Sequence, residues 1–144
     1  MSAILLYRIS SIVFLVFAVG HTAGFLTFRP AVPEGMAVYE AMRSVHFDLS
    51  GSLRSYDDIC TGFGLTVSVY MLFCAYLSWH LGWLAHTQPR AIGTLAWVFA
   101  AVQLICMALS VRFFFLVPMV FSGAIVVCLL GAAWKLRERS DRAA

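Results

Sequence analysis

The sequence predicts an all-α fold, a four-transmembrane-helix bundle with a short interfacial helix between helices one and two. Three observations predict it. Hydrophobic residues make up 62% of the chain and charged residues 12%, against roughly 25% charge in soluble domains. Four apolar runs reach the ~20 residues that a membrane span requires. The basic residues gather at the C-terminus and thin out along those runs. At 144 residues the chain has room for a single membrane domain, 1–144, with spans at about 3–28, 59–85, 91–111 and 113–134.

The first run, 3–28, contains Arg8 near its start. Its apolar part exceeds the roughly 7–15 residues of a signal-peptide core, and Gly-His-Thr-Ala-Gly follows where an A-x-A cleavage site would stand. It therefore reads as a helix. The polar segment 29–58 opens with Pro30 and Pro33. Within it Val38, Ala41, Met42 and Val45 follow the i, i+3, i+4, i+7 spacing of a short amphipathic helix lying in the interface as a lid. Asp48-Leu-Ser-Gly-Ser-Leu-Arg54 reads as a turn, and Ser55-Tyr-Asp-Asp58 as a capping box that starts the second span. His86-Thr-Gln-Pro-Arg90 is a polar hairpin loop. Arg112 marks a second tight turn, and 135–144 a basic tail.

Orientation follows from Lys and Arg near the span ends. Lys135, Arg137, Arg139 and Arg142 place the tail in the cytoplasm, and four spans return the N-terminus to the same side. Segment 29–58, with three basic and five acidic residues, then lies outside. Gly20-x-x-x-Gly24, Gly64-x-x-x-Ser68 and Ser78-x-x-x-Gly82 have the small-residue spacing that lets helices approach closely in lipid, which points to packing of helices one and two. Trp79, Trp83 and Trp134 fit an aromatic belt. Pro118, inside the fourth run, predicts a kink and a freed carbonyl near Phe114.

Several chemistries are disfavoured. Cys60, Cys74, Cys106 and Cys128 occur singly, without the C-x-x-C of a redox or zinc site, so neither a metal nor a cofactor is expected. A nucleic-acid partner would need a basic face with interleaved aromatics. A proton-coupled exporter needs an acid within the bilayer, and none of the runs contains one. His80 lies too far from His21 along the membrane normal to share a ligand with it, and reads as an interfacial residue. Gln103, mid-span, reads as a hydrogen-bonding partner of a neighbouring helix.

The candidate site is the outer end. His21, His46, Asp57 and Asp58 are the candidate catalytic groups, because an imidazole beside a carboxylate can relay a proton near neutral pH. Thr22, Arg54, Tyr56 and Pro118 are candidate ligand contacts for a pocket beneath the lid. The competing account is structural: Asp57 and Asp58 suit the N-terminus of the second span, and His21 suits a hydrogen bond to a facing helix.

Gly20-His-Thr-Ala-Gly24, Ser55-Tyr56-Asp57 and Gly62-Phe-Gly-Leu-Thr-Val-Ser68 together resemble elements of a group of uncharacterised bacterial four-helix integral membrane proteins, over roughly the first 85 residues. The resemblance implies the architecture and a bacterial inner membrane; it carries no activity. A looser likeness, of size and layout only, is to small four-helix membrane oxygenases that act on anthrones without a cofactor. Two functions fit these residues. One is a binder of, or enzyme acting on, a hydrophobic small molecule or lipid at the outer end. The other is an accessory or assembly subunit that docks its helices on a partner, as a homo- or hetero-oligomer. A small transporter is a weaker third.

Overall fold

A computed structural model describes residues 1–141, with side chains to 139; the expected contribution of Arg142 to the basic tail lies outside the described residues. Helix α1 is Ala3–Thr27, α2 Pro33–Ser44, α3 Tyr56–Thr87, α4 Gly93–Phe113 and α5 Leu116–Asp141, with a 3₁₀ turn, Pro89–Ile92, before α4. Four of these helices are long and apolar enough to cross a membrane, and the chain is an all-α, four-span integral membrane protein. Its apolar side chains face outward as a lipid solvent requires: Phe63 is 71% exposed, Val127 70% and Val19 68%.

The element boundaries follow from local chemistry. Helix α1 stops ahead of Pro30, which disfavours helical geometry in the residue before it. Helix α2 begins on Pro33, whose missing N–H costs nothing at a first helical position. Glu34 in its first turn and Arg43 in its last complement the helix dipole. None of its residues is buried. Helix α3 opens on the expected capping box: Ser55 N–H donates to Asp58 Oδ2 at 2.8 Å, and Asp58 N–H donates to Ser55 Oγ at 3.1 Å.

Four features differ from the sequence expectations. The stretch around Asp48 is an antiparallel β-hairpin, with β1 at His46–Leu49 and β2 at Ser52–Ser55. Ser50 and Gly51, both at positive φ, make its two-residue turn, and Asp48 Oδ1 accepts the Gly51 N–H. Helix α4 runs through Arg112, and the turn falls at 114–115. Helix α5 continues into the tail as far as Asp141, where Glu138 accepts from Trp134 Nε1 and Lys135 Nζ, both at 2.9 Å. Pro118 does not kink a helix. It is the third residue of α5, where a backbone N–H has no intrahelical partner in any case, and the Phe114 carbonyl four residues back lies outside the helix.

The chain divides into two compact units, one of residues 1–17 and 71 onward, the other of residues 18–70. In the first, buried positions recur in steps of three and four: Tyr7, Ser11 and Phe14 on α1, Ala75, Ser78, Gly82 and Ala85 on α3, and Ile125, Leu129, Ala132 and Leu136 on α5. This is the spacing at which side chains of neighbouring helices interlock. Lipid removes the hydrophobic drive between spans, so association rests on close packing and buried hydrogen bonds. Both are present. A Cβ on Gly82 would stand 3.2 Å from Tyr7 Cβ, and one on Gly131 3.2 Å from Leu6 Cδ1. Ser11 Oγ donates to the Ala75 carbonyl at 2.7 Å. Gln103 Nε2 donates to Cys74 Sγ at 3.8 Å, the expected tie to a neighbouring helix. His80 lies between the rings of Tyr76 and Trp83 on its own helix.

Candidate functional site

The second unit, 18–70, contains every candidate site residue except Pro118. Its centre is a polar knot between α1 and α3. His21 is half-buried, and its Nε2 lies 3.2 Å from the carbonyl oxygen of Gly64. A carbonyl only accepts, so this nitrogen carries the proton, and in the neutral ring Nδ1 is left as an acceptor. Phe25, one turn along α1, stacks on the imidazole at 5.9 Å between centroids. The same phenyl ring fills the notch over Gly64, where any Cβ would fall 2.5 Å from Phe25 Cζ. Glycine at 64 thus does two things: it admits the ring and exposes its carbonyl to the histidine.

Thr22 completes the knot. Its Oγ1 lies 2.8 Å from both the Ala18 carbonyl and Ser68 Oγ, and Ser68 Oγ lies 3.2 Å from the Gly64 carbonyl. Two hydroxyl protons serve three contacts, so each hydroxyl either bonds back to its own helix or reaches across. The sequence elements Gly20–Gly24 and Gly62–Ser68 therefore meet through His21, Thr22, Gly64 and Ser68. The approach uses only one of the two small-residue motifs. A Cβ on Gly20 or Gly24 would meet nothing within 4 Å.

The charged candidates are engaged elsewhere. Asp58 is held by Ser55 in the capping box. Asp57 pairs with Arg43 of α2 at 3.6 Å, a contact that fastens the lid helix to the start of α3. His46 is exposed on β1, its Nδ1 2.9 Å from the Ser44 carbonyl. Arg54 is exposed and donates to the adjacent Leu53 carbonyl. Tyr56, 53% exposed, tilts against Phe47 at 4.7 Å. Among the described residues His46, Asp57 and Asp58 make no hydrogen bond to His21. Along α3 the Gly64 level lies about 9 Å from Asp58 at 1.5 Å per residue. Arg43 also lies over Tyr39, which Arg29 approaches from 5.0 Å. Among the described residues there is no group of three His, Cys, Asp or Glu side chains that could hold a metal ion.

Sequence reasoning singled out His21, Thr22, Gly64 and Ser68 but not Phe25. The four-residue spacing of His21 and Phe25 on one helix was the signal for it. Comparison of the chain with protein-family models, with curated proteins and with solved structures finds no match.

Proposed function

We propose that the chain is a membrane-embedded binding protein for a hydrophobic small molecule or lipid, with His21 as the anchoring residue. The supporting observation is the pinned imidazole: Nε2 is committed to the Gly64 carbonyl and the ring plane is set by Phe25. Such a ring offers Nδ1 to an O–H or N–H of a ligand without reorganisation on binding. The engagement of Asp57, Asp58 and His46 by other partners favours binding over proton-relay catalysis. On this reading Thr22 is a secondary contact, and the lid, tied down by Arg43 and Asp57, lies outside a bacterial inner membrane. Both termini are then cytoplasmic, in keeping with Lys135, Arg137 and Arg139 at the C-terminal end of α5.

A second reading, an accessory subunit, is favoured by α3. It is the least buried of the four spans, and Phe63, Tyr70, Phe73 and Tyr76 stand exposed on it. Purification in mild detergent followed by mass spectrometry separates the two. A stoichiometric hydrophobic molecule that is lost in a folded His21→Ala variant supports the first reading. Retention of that molecule by the variant rejects it. A stoichiometric protein partner that is lost on Phe73→Ala supports the second.

A further inference from the structure

We propose that the His21 site selects its ligand by a hydroxyl hydrogen: it binds an uncharged lipid alcohol or quinol and discriminates against the carbonyl form of the same molecule. This selection presupposes the binding role given to His21 above. Nε2–H is committed to the Gly64 carbonyl at 3.2 Å, which leaves Nδ1 of the neutral ring with a lone pair. The other tautomer would set an Nε2 lone pair against those of the carbonyl, so the ring cannot turn donor at Nδ1 without giving up its anchor. Nδ1 is also within reach. No hydrogen bond among the described residues engages it. The buried polar atoms without a partner are Tyr7 Oη, Arg8 Nη1 and Ser78 Oγ, and Nδ1 is not one of them.

The hydroxyl protons around the ring are spent within the chain. Those of Thr22 and Ser68 go to the Ala18 and Gly64 carbonyls or to each other. Thr27 Oγ1 donates to the Ala23 carbonyl at 2.7 Å, and Thr66 Oγ1 to the Gly62 carbonyl at 2.8 Å. A ligand hydroxyl therefore finds an acceptor on His21, whereas a ligand carbonyl, itself only an acceptor, meets a lone pair there. Charge is disfavoured as well. Residues 18–28 and 59–70 include no Asp, Glu, Lys or Arg, so an ionised headgroup would be desolvated without a counter-ion. The way in lies along α1. Phe25 stacks on the imidazole, and at about 100° per residue Gly24 stands about 60° from His21, on the side away from Thr22. A Cβ on Gly20 or Gly24 would meet nothing within 4 Å, so this strip is open to a flat ring or an acyl chain.

The test is native mass spectrometry of the full chain in mild detergent, titrated separately with a short-chain ubiquinol, its ubiquinone and dioleoylglycerol, the quinol being kept reduced under nitrogen. Quinol and quinone are close in shape and differ in the hydroxyl hydrogens, so the pair isolates the donor. The wild type is expected to bind the quinol about three- to tenfold more tightly than the quinone, the size of one hydrogen bond. Tighter binding of dioleoylglycerol than of the quinol would assign the hydroxyl to a lipid alcohol, and the reverse to a quinol; either supports the proposal. His21→Ala is expected to lose the preference for quinol over quinone. His21→Gln can still donate to Gly64 through its amide nitrogen and present its amide oxygen to the ligand. It is expected to keep part of the preference, and carries the test should the alanine variant fail to fold. Equal binding of quinol and quinone, lost in His21→Ala, overturns selection by the hydroxyl and leaves the binding role standing. A preference that survives in His21→Ala, or no binding of any of the three probes, overturns both.

Discussion

Around Gly64, α1 and α3 are joined by polar atoms: an imidazole on a carbonyl, a threonine on a serine, and a phenyl ring filling the glycine notch. Around Gly82 the same two helices are joined by close packing, with Tyr7 wholly buried against the glycine and its hydroxyl without a partner among the described residues. Both junctions use a glycine on α3, yet for different ends. At 64 the missing side chain admits a ring and bares a hydrogen-bond acceptor. At 82 it admits the body of a neighbouring side chain. The first arrangement fixes the orientation of a titratable group; the second contributes packing. Function is therefore better sought at the first, and stability at the second.

The largest effects should separate the two junctions. Tyr7→Ala removes a ring that is 0% exposed and is expected to cost about 3–5 kcal/mol, the range for emptying a buried aromatic site. Reversible unfolding in mixed micelles measures it, and a cost below that of Gly64 variants would reverse the assignment of stability to the Gly82 junction. Gly64→Val is expected to cost about 1–3 kcal/mol through overpacking, because its Cβ falls 2.5 Å from Phe25 Cζ. Phe25→Leu in the same chain should return part of that loss, a coupling that a double-mutant cycle reads directly.

The two junctions also differ in how far the sequence disclosed them. Ser55-x-x-Asp58 and the periodic lid helix were legible because their interactions lie within one turn of chain. Gly64-x-x-x-Ser68 was legible as a contact, but its chemistry was not. The partner of His21 is a backbone carbonyl, which no residue type announces. The carboxylates that looked like its partners had nearer claims: Asp58 to Ser55 three residues away, Asp57 to Arg43. Pro118 misled for a related reason. The apolar stretch after Arg112 carries no cap to mark where α5 begins, so a proline in the first turn reads as one some six residues into a helix that starts at Phe113. The hairpin was hidden because its strands have four residues each, too few for alternation to stand out.

Smaller effects sharpen the contrast by sign. Thr22→Val deletes a hydroxyl that reaches across to Ser68 at 2.8 Å. The expected cost is about 0.6 kcal/mol, typical of a hydrogen bond between membrane helices, and it should fall in a Ser68→Ala background, where only the bond to the Ala18 carbonyl is left. Tyr7→Phe deletes a hydroxyl of the other kind. Its oxygen is buried with no partner among the described residues, and removing an unsatisfied polar group while keeping the ring is neutral or stabilising. The expected change is up to about 1–3 kcal/mol in the stabilising direction, the penalty of a buried unsatisfied polar group. The two substitutions are chemically alike, each exchanging O–H for an apolar atom, so equal costs would mean that the Gly82 junction is as polar as the Gly64 one. A measurable loss on Tyr7→Phe would place an acceptor on that hydroxyl and make the Gly82 junction, too, a candidate for function.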